Sequence, residues 1–213
     1  MAWVGTDMET SPALFDEKLS PNDIAEIEAA VKHFQGLGLA RGHASSGTFP
    51  LLKELASRLR AITDHVYNGR GFHRIRGLDT SRYTEQERVI AYAGITSCVA
   101  DERARNIDID VSDILSMFIQ STPLSGGEQY IASISSVYNY LVQKEPEVLK
   151  ALADDWYWER SYRPEGNKEI TKAFTRPPLA FGDDCLQINF AATFVGGNPA
   201  YNLPDDAPPL ASR

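Results

Sequence analysis

Ile114-Leu115-Ser116-Met117-Phe118-Ile119, followed by Pro123-Leu124-Ser125-Gly126-Gly127 and Tyr130-Ile131-Ala132-Ser133, is the stretch on which the fold class turns. Two short apolar runs flank a Pro/Gly segment, and that pattern predicts two strands joined by a turn. Upstream the period is helical. Ser20 suits an N-cap, Pro21 the first helical position and Asp23 the positive helix end, while Ile24, Ile27, Val31 and Phe34 recur along one face. This predicts a helix over 21–35, closed by Gly36 and Gly38. Leu52, Leu55, Leu59, Ile62 and Val66 form a second stripe, predicting a helix over 51–67 that ends at Asn68-Gly69. Thr84 and Glu87 are spaced as a capping box for a third helix running to Gly94. Between the last two, Arg70 to Leu78 is bracketed by glycines and predicts a strand.

Downstream, Ser136 to Val142 and Pro146 to Leu152 predict short helices. Leu179 to Phe181 and Leu186 to Phe190 predict a hairpin across Gly182-Asp183-Asp184, with one face buried. The aromatic cluster Trp156-Tyr157-Trp158 fits a helix end packed on a core better than a stacking platform. Residues 1–19 show no sustained period and predict an irregular arm; four prolines between Pro199 and Arg213 predict an irregular end. The expected class is α+β, with helices first and then a few strands. The expected organisation is one domain over 20–205, an arm before it and a tail over 206–213.

The 213 residues are 43% hydrophobic and 23% charged, a globular composition. The formal net charge of −8 leaves no general basic field for nucleic acid or an anionic membrane. No apolar run nears the roughly 18 residues a spanning helix needs, and Met1 to Asp7 lack the features of a secretory signal, so a soluble cytoplasmic protein is expected. Cys98 and Cys185 are far apart without a CxxC pair, which favours two buried thiols over a disulfide framework or zinc site. All four histidines, His33, His43, His65 and His73, fall in the first third of the chain. No phosphate-binding glycine loop is present.

Gly69-Arg70-Gly71-Phe72-His73-Arg74-Ile75-Arg76-Gly77-Leu78-Asp79, Tyr83-Thr84, Ala91-Tyr92-Ala93-Gly94-Ile95, Asp113-Ile114-Leu115, Gly126-Gly127-Glu128, Ala132-Ser133 and Val137-Tyr138-Asn139-Tyr140-Leu141 occur in a characteristic order. In that order the chain resembles the taurine dioxygenase-like (TauD/TfdA) family, particularly its fungal members, over about residues 20 to 205. The resemblance implies a double-stranded β-helix, the jelly-roll of the clavaminate synthase-like proteins, here incomplete and preceded by helices. It also implies an oxidoreductase, a non-haem Fe(II), 2-oxoglutarate-dependent dioxygenase acting on a small molecule. In such a site two imidazoles and one carboxylate hold one face of the iron, and an arginine grips 2-oxoglutarate.

Transferred residue by residue, the family's His-x-Asp stretch falls on Ile107-Asp108-Ile109-Asp110. Asp110 takes the carboxylate slot and Asp108 the histidine slot, so these two are the metal candidates. Asp101 to Arg105 run almost directly into this stretch, where family members carry several tens of residues more. No histidine follows His73, so the second imidazole has no counterpart, and neither has the arginine. Gln129 stands where the family has a small hydroxyl residue assisting 2-oxoglutarate; it is the cofactor-binding candidate, with an ordinary strand polar residue as the other reading.

On their own terms, Asp108, Asp110 and Asp113 suit either a solvated acidic turn or a hard cation such as Mg²⁺ or Mn²⁺. No glycine and no twelfth-position Glu support an EF-hand. His73 fits a packed or exposed strand residue, or one facing a cavity. The expectation is a shortened, degenerate relative, a pseudoenzyme with absent or strongly reduced activity. The alternative is a non-catalytic partner that pairs with a second copy or a full-length relative through open sheet edges.

Overall fold

In a computed structural model describing residues 2–100, 102, 114–162, 170–182 and 185–188, the N-terminal stretch is not an irregular arm. It carries a short helix, α1 (Gly5–Thr10), and a three-residue strand, β1 (Asp16–Lys18). Next comes α2 (Pro21–Gly36), whose start follows its sequence: the Asp23 amide donates to Ser20 Oγ at 3.1 Å, and the Ser20 amide donates to Asp23 Oδ2 at 2.8 Å. Helix α3 spans Lys53–Asp64 and continues into a wider π-type turn over His65–Gly69. The strand predicted over Arg70 to Leu78 contracts to β2 (Arg74–Arg76), which pairs in parallel with β1. A parallel pair needs a long crossover, and α2 and α3 are that crossover.

Helix α4 (Glu85–Val99) opens at the expected capping box but runs five residues past Gly94. Gly94 is not a stop because the Phe49 ring lies directly on it; a Cβ there would overlap the ring carbons. Ile27, Val31 and Phe34 of α2, Leu55, Leu59 and Ile62 of α3, and Ile90, Ala91 and Cys98 of α4 bury together around Phe49. Each fully buried large side chain contributes about 1.5–3 kcal/mol relative to exposure. The Thr63 hydroxyl donates to the Val99 carbonyl and ties the ends of α3 and α4.

The strands expected at Ile114–Ile119 and Tyr130–Ser133 do not form; both runs lack regular secondary structure. Gly126 and Gly127 follow a bend at Leu124–Ser125 and take positive φ, +77° and +78°. Gly127 is held to glycine twice over, since a Cβ would also stand 2.8 Å from Pro123 Cγ.

The chain divides into two compact units, Met1–Ser133 and Ile134–Arg213. The second holds α5 (Ile134–Lys144) and α6 (Pro146–Ala153), both as expected. It also holds an antiparallel pair of β3 (Trp156–Tyr162) and β4 (Ile170–Arg176), and another of β5 (Leu179–Gly182) and β6 (Cys185–Ile188). The Trp156-Tyr157-Trp158 cluster therefore opens a strand rather than ending a helix. Trp158 is buried, and its indole N–H donates to the Arg176 carbonyl at 2.9 Å. The β5–β6 hairpin matches the predicted pair, but its apolar face is only partly covered: Leu179 is buried while Phe181 and Ile188 are exposed. The class is α+β, and the described strands form three separate two-stranded sheets.

Candidate functional site

A group of matched ionisable side chains forms where β1 meets β2. Asp16, directly across from Arg74 in the parallel register, accepts from both Arg74 and Arg76 at 2.9 Å. Hydrogen bonding from Arg74 is opposed by burial, and with Arg76 added it holds the Asp16 carboxyl below its ordinary range. Arg58 of α3 bridges Glu17 of β1 at 2.9 Å and Asp23 of α2 at 2.8 Å. For Asp23, burial pushes the pKa up, but hydrogen bonds from Ser20 and Arg58 outweigh it and the net direction is down. His73, just before β2, has a buried side chain with Nε2 3.6 Å from Glu17 Oε2. Its ring centroid is 5.6 Å from that of His65 on the π-type turn.

A second polar group lies between α2 and α4. Tyr83 donates its hydroxyl to Glu28 Oε1 at 3.2 Å, and Arg82 pairs with the same carboxylate at 3.0 Å. Burial first, and then the Glu28 charge, push the Tyr83 pKa up to about 12. These residues line a surface hollow with Val31, Lys32 and Glu87. The hollow has two carboxylates, Glu28 and Glu87, and two cations, Lys32 and Arg82.

The segment after residue 113 is laid against α4. Tyr92 donates its hydroxyl to the Ser116 carbonyl at 2.8 Å and stacks on Phe118 at 5.6 Å. Arg88 donates to the Gln120 side chain at 2.7 Å, and Thr80 to the Gln120 carbonyl at 3.1 Å. These ties leave Leu115, Met117 and Ile119 facing outward, at 72%, 52% and 61% exposure. Leu124, Tyr130 and Ile131 are exposed as well.

The sequence-derived candidates fare differently. Asp108, Asp110 and Asp113 lie outside the described residues. Gln129 is exposed in an irregular segment rather than on a strand. His73 is packed, not exposed, and Cys98 is a buried thiol whose pKa burial raises. The Glu17–Arg58–Asp23 bridge was invisible in the sequence, because its members come from elements far apart and β1 has no apolar signature. Among the described residues no three His, Cys, Asp or Glu side chains are grouped to hold a metal, and the metal candidates Asp108 and Asp110 are not among those residues. None of the described helices is long and apolar enough to cross a membrane.

No family model matches the chain. The chain is 28% identical over 239 residues to the taurine hydroxylase-like protein SAT17 of Stachybotrys chartarum, a match covering 94% of this chain and 60% of that protein. The chain thus spans 60% of the length of the curated relative it matches. The match is longer than the 213 residues present here, so SAT17 carries aligned residues that this chain lacks. This similarity supports a relationship between the chain and taurine dioxygenase-like oxidoreductases.

Proposed function

We propose that this chain is a shortened, degenerate member of the Fe(II)/2-oxoglutarate dioxygenases of the taurine dioxygenase type, built on part of a jelly-roll and with little or no dioxygenase activity as the 213-residue chain. The similarity to SAT17 across 94% of the chain carries the relationship. Asp108, standing in the slot of the first metal histidine, supports the reduced activity. The aligned residues of SAT17 without a counterpart here support the reading of an internally shortened chain. Iron held by Asp108 and Asp110 alone would lack the imidazoles that tune Fe(II), and carboxylates suit harder cations. Gln129, exposed as it is, would bind 2-oxoglutarate weakly if at all. Supplied with Fe(II), 2-oxoglutarate and air, the folded chain is expected to release no succinate above the protein-free rate. Sustained succinate release, abolished by Asp110→Ala, would overturn this reading.

A second reading is a non-catalytic partner of a full-length relative. The outward row Leu115, Met117 and Ile119 favours it, since alternate residues of this segment offer exposed apolar side chains outside any sheet.

A further inference from the structure

Three arginines and three carboxylates gather where β1 meets β2, beside His73, and they are already matched to one another. From β1 come Asp16 and Glu17, from α2 Asp23, from α3 Arg58, and from β2 Arg74 and Arg76. His65 faces the ring from the π-type turn, and Arg70 lies in the loop leading to His73. The His73 side chain is only 6% exposed, and neither Nδ1 nor Nε2 has a hydrogen-bond partner. Arg58 engages Glu17, and two arginines engage Asp16, so a proton on His73 would add a buried charge to a cluster in balance.

We infer that His73 is an acid-sensitive latch: neutral, it packs the N-terminal segment carrying β1 against β2 and the end of α3, and on taking up a proton it releases that segment. Burial lowers its pKa, Glu17 opposes this and His65 adds to it, with the net direction down. Once released, the ring regains a value near 6.5. The released form therefore binds more protons between the two values, and acid favours it by up to about tenfold per pH unit below about pH 6.5. Asp16 and Asp23, both held below the ordinary carboxyl range, stay ionised across this window.

Hydrogen exchange of the full chain between pH 7.5 and 5.0, corrected for intrinsic rates, tests this. Opening of amides over 4–19 and 72–78 is expected to rise by up to about tenfold per pH unit below pH 6.5, with the α2–α4 amides unaffected. In His73→Phe and His73→Gln the pH dependence is expected to vanish. A flat wild-type profile, or a slope that persists in both folded variants, would overturn the latch. Imidazole NMR of the wild type decides the case if neither variant folds: titration of His73 below about 6.5 supports the latch, and titration at or above it refutes it.

Discussion

The Phe49 ring lies on Gly94 of α4, and two substitutions probe this contact from opposite sides. Gly94→Ala puts a methyl group where the ring sits and is expected to cost about 1–3 kcal/mol or more through overpacking. Phe49→Ala empties a fully buried site and is expected to cost about 3–5 kcal/mol. Urea unfolding checks both. Asp23 gives a pH signature at the same scale. Its folded pKa lies below the ordinary 3.8, so its contribution is present above that value and fades as pH falls below it. Asp23→Asn should therefore destabilise the protein clearly at pH 7 and progressively less below about pH 3.8. At this scale the sequence was partly legible. The helix-face residues Ile27, Phe34 and Leu59 follow from periodicity, and the burial of Cys98 from the lack of a cysteine near it in sequence. Phe49 and the Glu17–Arg58 pair follow from no local pattern, because tertiary contact alone decides them.

The helix starts are the elements most directly written into the chain. At α4 the Glu87 amide donates to Thr84 Oγ1 at 3.3 Å and the Thr84 amide to Glu87 Oε2 at 2.8 Å, so Thr84→Ala should lower stability by about 0.5–2 kcal/mol in thermal melts. Caps are legible because all their atoms lie within four residues. Strands are less so, since each needs a partner the local sequence does not name. Asp16-Glu17-Lys18 has no strand-like composition, yet it pairs with Arg74-Ile75-Arg76 in register. Ile114 to Ile119 has the composition and no sheet partner among the described residues. Trp156 to Trp158 becomes a strand through pairing with Phe174 to Arg176, eighteen or so residues downstream.

For the whole molecule, the resemblance read from motif order agrees with the similarity to SAT17, while Asp108 and Asp110 lie outside the described residues. Self-association through the outward apolar row is tested in solution. If Leu115, Met117 and Ile119 meet a second copy, the chain should elute as a dimer in size-exclusion chromatography, and replacing all three by serine should return it to monomer size. An unchanged elution volume would remove self-association through this row. Loss of the iron centre is tested by anaerobic calorimetric titration of the full chain with Fe(II), with and without 2-oxoglutarate. No saturable binding is expected in the folded protein. Tight one-to-one binding that strengthens with 2-oxoglutarate and disappears in Asp110→Ala would contradict it.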